Sequence, residues 1–279
     1  MIELGRRRTQ GIARAMVWGA ALLTLAVLFL IIAHILIEGL PYVTPEFLLG
    51  SPRHMGREGG ILPTIIGTAA LTAVAILIAT PLGVGTAIYL TEYTREGRLT
   101  RFIRLGTESL AGVPSIIFGL FGFVFFVIAL GLGWSILSGG LTLAAMILPT
   151  IIRTSEEAIR AVPKVYRDVS FSLGATRWQT VTRAVLPTAL PGIATGVILG
   201  VGRSVGETAA VILTAGSSLH VPTSLFSPTR TMAVHFYILA REGISLEMAY
   251  ATGAVLILAV LAINVLANEA LRRLAARAR

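Results

Sequence analysis

The chain has 279 residues, of which 55% are hydrophobic and only 13% charged, and its mean hydropathy is +0.82. This composition excludes soluble domains of ordinary make-up and gives an integral membrane protein. The net charge of +9 would suit nucleic acid, but its distribution assigns it to topology instead. The absence of cysteine excludes disulfides, thiolate metal sites and cysteine nucleophiles.

A helix that crosses the hydrocarbon needs about 20 mostly apolar residues. The first such run, Val17–Ile37, follows the basic cluster Arg6, Arg7, Arg8 and Arg14. It is longer than a secretory leader's apolar region and has no small-x-small cleavage site before Glu38-Gly39-Leu40-Pro41, so it is expected to be a retained span. Glu38–Gly60 forms a moderately long loop before the second run, Leu62–Leu90, which contains Pro63 and Pro81. A third run, Leu105–Leu132, holds Pro114, and the tight turn Gly131–Ser135 leads into the fourth, Ile136–Ile152, with Pro149.

Helical periodicity continues beyond the fourth run, with Glu156 and Arg160 at i,i+4 spacing, until Pro163 ends it. A short helix is predicted from near Tyr166, interrupted at Gly174, with another over Ala175–Val185 leading into Leu186-Pro187. The fifth run, Ala189–Ala215, contains Pro191. The long loop Ser217–Ser245 is mixed in character and expected to pack on the bundle or a partner, with His235–Ala240 a candidate interfacial helix. Met248–Leu266 is the sixth run.

The sequence therefore predicts an all-α polytopic membrane protein with six transmembrane helices. Eighteen of its 23 basic residues fall on the side of the two termini, which the positive-inside rule makes cytoplasmic. His34, His54, His220 and His235 are too scattered to suggest metal-ligand spacing, so no metal site is expected. Prolines in four of the spans suggest a bundle around a lined path, because freed carbonyls are tolerated only where protein or water satisfies them.

Arg203 and Glu207 are the notable charges, set in an apolar stretch from Pro187 to Gly216. Ionised side chains at membrane depth are costly and usually face an interior or an aqueous path. On a continuous helix Gly192, Gly196, Gly200, Arg203 and Glu207 would share a sector of roughly 80°. The glycines would allow close helix contact, and the pair would either contact an anion through the guanidinium or serve only to neutralise two buried charges. Ser115, beside Pro114, is a further candidate for the path.

Asp168–Pro187 reads DVSFSLGATRWQTVTRAVLP. It resembles the cytoplasmic signature loop of permease subunits in binding-protein-dependent ABC importers, with Asp168 at the acidic position, Gly174 and Ala175 at the turn, and Leu186-Pro187 at the end. Asp168 stands where Glu is usual, and Val169-Ser170 where Ala-Ala is usual. Within those permeases, Glu108–Gly122, Gly202–Ala210 and Ala87–Tyr93 resemble the phosphate-specific branch, its PstA-type subunit in particular.

The resemblance implies an ABC importer type I permease fold in the bacterial inner membrane and a permease subunit for inorganic phosphate. It also implies a second permease (PstC-like), a dimer of ATPase subunits (PstB-like) that the signature loop contacts, and a periplasmic phosphate-binding protein (PstS-like). No Gly-x-x-x-x-Gly-Lys-[Ser/Thr] loop is present, so ATP and Mg are expected on the partner ATPase, with no cofactor on this chain and no enzymatic activity of its own. The expected division is residues 1–60 as tail, first helix and loop; residues 61–270 as the permease domain, with its coupling loop at 153–187; and residues 271–279 as a basic tail. Other readings are a permease for molybdate or sulfate, or a self-contained secondary transporter.

Overall fold

A computed structural model describes the backbone of residues 2–95 and 97–277 and the side chains of residues 10–11, 13–95 and 97–269. The basic side chains of Arg6, Arg7, Arg8, Arg272, Arg273, Arg277 and Arg279, including those of the expected tail 271–279, lie outside the described residues. The first helix, α1, runs from Ile2 to Gly39, and the short α2 (Pro45–Leu49) and a hairpin of β1 (Pro52–Arg53) and β2 (Glu58–Gly59) lead into α3, Leu62–Ile88. A π-helical turn, Tyr89–Tyr93, extends α3. Next come α4 (Arg98–Ala111), α5 (Ser115–Gly122) with a π-helical continuation to Ala129, and α6 (Ile136–Arg160). Then follow α7 (Lys164–Ser172), α8 (Arg177–Thr180), a π turn over Val181–Val185, and α9 (Leu186–Val205). The chain ends with α10 (Ala209–Thr214), α11 (Met232–Arg241) and α12 (Leu246–Arg277).

Helix α6 is the centre of the bundle. Its Leu143, Met146, Ile147 and Ile151 are buried together with Leu71, Ala75 and Ala79 of α3 and Val211 of α10. Lipid is as apolar as these side chains, so close backbone approach through small residues holds the helices together. A Cβ on Gly192 would lie 2.6 Å from the Ala158 Cβ, and one on Gly196 would run into Thr154, so both glycines seat α9 on α6. Gly200 is looser, with Ile76, Ile147 and Ile151 methyls at 3.5 Å. Gly119 meets Ala210 and Gly122 meets Thr142 and Thr214, which brings α5 onto α10 and α6.

Two of the expected spans are not continuous. The third, Leu105–Leu132, is divided between α4 and α5, which meet at 103°. Gly112 caps α4, and Pro114 disfavours helical backbone at Val113, so the chain turns there. Helix α4 is amphipathic: Leu99, Phe102 and Leu105 are exposed while Thr100 is buried. The fifth, Ala189–Ala215, ends as α9 at Val205 and resumes as α10 at Ala209. Among the described residues five helices are thus long and apolar enough to cross a membrane, and six crossings result if the bent α4–α5 pair is counted as one span.

Prolines 81, 149 and 191 lie inside unbroken helices. The clash expected four residues before Pro187 falls on Arg183, inside the π turn that loosens the helix there. Helix α1 touches the bundle mainly at its C-terminal end, where Gly39 lies against the Tyr250 carbonyl and His34 contacts the Tyr250 ring. Gly196→Leu is expected to unseat α9 from α6, costing about 1–3 kcal/mol and lowering the melting midpoint of the detergent-solubilised chain. Gly202→Ala, which meets nothing within 4 Å, should leave it unchanged.

Candidate functional site

Helices α5 and α10 run parallel, with Gly119 opposite Ala210 and Gly122 opposite Thr214. That register places Ser115, the first residue of α5, level with the break at Gly206–Thr208. The two interruptions of the membrane helices therefore meet at one level. Arg203 occupies the last turn of α9 and is half-buried; among the described residues its guanidinium has no hydrogen bond or ion pair.

Glu207 does not share the glycine face expected on a continuous helix, because α9 has already ended. Its Oε1 accepts a hydrogen bond from the Ala210 amide at 3.1 Å and so caps α10, and no ion pair joins it to Arg203. A carboxylate near the N-terminus of a helix is favoured both by the orphan amides and by the dipole. The remaining oxygen of Glu207, the Arg203 guanidinium and the Ser115 hydroxyl supply an acceptor, a fixed cation and a neutral donor at the level of the breaks.

The far end of α10 is closed by protein. Trp134 Nε1 donates to the Leu213 carbonyl at 3.1 Å, the Ser135 amide to Thr214 at 3.2 Å and the Thr229 amide to Ala215 at 3.0 Å. The first amides of α6 donate in turn to the carbonyls of Ser227 and Leu225, so the long loop after α10 packs on the bundle. Helix α11 is longer than the expected His235–Ala240 and packs on the bundle, with Val234, His235 and Leu239 buried.

His235 sits under Gly56 of the hairpin turn, and its Nδ1 lies 3.3 Å from Arg230 Nη1. Burial first, and the Arg230 charge second, push its pKa down to about 4. Burial also lowers Arg230, with Glu242 opposing the shift. Among the described residues no group of three acidic, histidine or cysteine side chains could hold a metal ion.

At the opposite end, α7 and α8 form a knob. Gly174 turns the chain with φ +80°, the Ala175 amide bonds the Ser170 carbonyl at 3.1 Å, and Thr176 and Gln179 cap α8 reciprocally. Val165, Tyr166, Val169 and Leu173 fall within one face of roughly 100°, and all four are exposed, Leu173 at 83%. Asp168 is exposed on α7, while Leu186 and Pro187 open α9.

Ion pairs tie this end together. Glu156 accepts Arg104 at 2.9 Å and Arg160 at 2.7 Å, the latter at the i,i+4 spacing visible in the sequence. Arg167 of α7 reaches Glu92 on the π turn after α3 at 2.6 Å. Sequence reasoning missed the Glu92 and Arg104 contacts, because their partners are 75 and 52 positions away.

These features define a polytopic helical membrane protein with a broken fifth span and an exposed knob at one end. The chain belongs to the family of binding-protein-dependent transport system inner membrane components, whose family model matches residues 79–279. Members are transport subunits rather than enzymes. A probable ABC transporter permease protein YqgI of Bacillus subtilis is 34% identical, over 95% of this chain and 96% of that protein. A phosphate transport system permease protein PstA of Pasteurella multocida is 32% identical, over 85% of each. A chain in the crystal structure of a bacterial alginate ABC transporter in complex with its alginate pentasaccharide-bound periplasmic protein shares the fold. Its TM-score is 0.67 at 18% identity, over 95% of this chain and 96% of that one. The fold is that of type I ABC importer permeases.

The histidine gives a pH prediction. Its folded-state pKa of about 4 lies below the ordinary histidine value of 6.5, so on acidification the unfolded chain binds the proton first. Stability should be flat above pH 6.5 and fall as pH drops toward 4, by up to about 3 kcal/mol. Thermal melts of the solubilised chain across that range should show this slope, and His235→Gln should flatten it.

Proposed function

We propose that the chain is the permease subunit of an ATP-driven phosphate importer and forms half of the path for inorganic phosphate. The observation that carries this reading is the half-buried Arg203, without a partner among the described residues, beside two helix breaks at one level. Its guanidinium is permanently charged and binds oxyanions bidentately. Likeness to phosphate transport permeases supports the cargo. So does Glu207: hydrogen phosphate carries an O–H that can donate to a carboxylate, whereas sulfate and molybdate at neutral pH carry none. One or two such contacts suit a passage that must release what it binds.

The exposed apolar face of α7 and the Gly174 turn are the proposed contact with a separate ATPase, which would bind ATP and Mg. A second permease would complete the path, and a phosphate-binding protein would deliver cargo at the hairpin end. The knob end, with both chain termini, would face the cytoplasm. In this reading residues 61–270 are the permease domain, with the coupling loop at 153–187.

In the assembled complex reconstituted in vesicles, Arg203→Gln should lower phosphate uptake on the order of ten- to hundredfold, the worth of a charge-assisted hydrogen bond. Assembly should be retained. Unchanged flux would leave Arg203 a structural role, and uptake of sulfate or molybdate in place of phosphate would reassign the cargo. Gly174→Asp should abolish co-purification of the ATPase while the chain still inserts; normal ATPase binding would remove the knob assignment.

A further inference from the structure

Arg167 joins three elements at one point. Its Nη2 donates to Glu92 Oε1 at 2.6 Å and its Nε to the same oxygen at 3.0 Å. Nη1 donates to the Val162 carbonyl at 2.8 Å and Nη2 to the Ile159 carbonyl at 3.0 Å, at and just past the C-terminal end of α6. Both side chains are largely shielded, at 19% and 10% exposure. On the other side of the knob, the Arg177 guanidinium lies 5.8 Å from the Tyr93 ring centroid. Ser170 and Thr180 hydroxyls, 2.9 Å apart, lock α7 to α8.

Glu92 and Tyr93 both lie in the π-helical turn Tyr89–Tyr93, closed by the Thr94 amide on the Tyr89 carbonyl at 3.1 Å. Such turns are rare and tend to occur at functional sites. Here the turn aims adjacent residues at the two halves of the knob. Helix α7 packs along α8 and Val181–Val185, which meet α3 through the buried cluster of Val185 with Ala87, and Arg167 adds a direct polar link from α7 to the turn at the end of α3. Helix α3 lies along α6, with Gly83 against Ile151 and Val74 against Gly140. A displacement of the knob can therefore reach the centre of the bundle through this ion pair.

We propose that Glu92 and Arg167 are positioning residues for energy coupling. The pair, assisted by Tyr93, converts movement of the α7–α8 knob into a shear of α3 against α6. This rests on the reading of the knob as the ATPase contact. It assigns a role to the end of the second crossing, which neither the anion path nor the docking face accounts for. A charge-assisted, partly buried pair suits the task, because it holds one geometry and is costly to separate.

The test uses the assembled complex in proteoliposomes and reads phosphate taken up per ATP hydrolysed. Glu92→Gln is nearly isosteric and should retain the ATPase while lowering that ratio roughly tenfold, within the range of coupling between linked sites. Tyr93→Leu should lower it less. The chain has no cysteine, so the E92C/R167C variant can be bridged with a short bismaleimide; the unbridged form should be uncoupled and the bridge should restore most of the ratio. An unchanged ratio in Glu92→Gln, no recovery on bridging, or loss of assembly in Glu92→Gln would each overturn the proposal, the last by showing a purely structural pair. If the wild-type chain retains no ATPase, the docking reading itself falls; if it does and Glu92→Gln couples normally, only the coupling role of the pair falls.

Discussion

A backbone in hydrocarbon has no water to bond, and the rest of this structure follows from where it escapes that rule. Long stretches obey it as unbroken helices, even through Pro81, Pro149 and Pro191. The exceptions are Gly112–Pro114 and Gly206–Thr208, and the α5–α10 register brings them to the same level. At both breaks turn bonds replace the helical ladder, as from the Val113 amide to Leu110 and the Glu207 amide to Ser204, which gives the otherwise apolar bundle a polar patch at one level. Arg203, Glu207 and Ser115 lie at that level, which is why they are proposed as the anion contacts.

Around the patch, the bundle is held rigid by two different means. Within the membrane, glycines let α9 and α5 approach their neighbours so closely that an added methyl would collide. At the knob end, where side chains are long and charged, Arg104–Glu156–Arg160 and Arg167–Glu92 do the joining. At the hairpin end, the loop after α10 supplies carbonyls to α6 and amides to α10, while His235 stays neutral beneath Gly56. A polar patch between stiff ends is what alternating access needs: the ends can move as bodies while the path between them changes exposure.

Much of this was legible in the sequence, for identifiable physical reasons. Apolar run length located the crossings, and the four-residue spacing of Gly192 and Gly196 marked a face suited to close packing. Pro163 and Gly174 punctuated the knob because each forbids or permits a specific backbone geometry. The breaks were not legible. Gly206 looks like the other glycines of its span, and Glu207 fits an i,i+4 ion pair as well as the cap it forms. Pro114 was visible, but only its neighbours Gly112 and Val113 turn a kink into a 103° bend. Contacts such as Glu92–Arg167 depend on tertiary packing between residues 75 positions apart, which no local pattern encodes.

The central claim is that the two helix breaks meet on a water-filled path. Because the chain lacks cysteine, a single Ser115→Cys substitution in the assembled complex reports directly on that level of the membrane. The account predicts that a charged, membrane-impermeant methanethiosulfonate modifies Cys at position 115 on this chain and that phosphate slows the modification. Reaction only with uncharged, lipid-soluble thiol reagents, at a rate indifferent to phosphate, would contradict it.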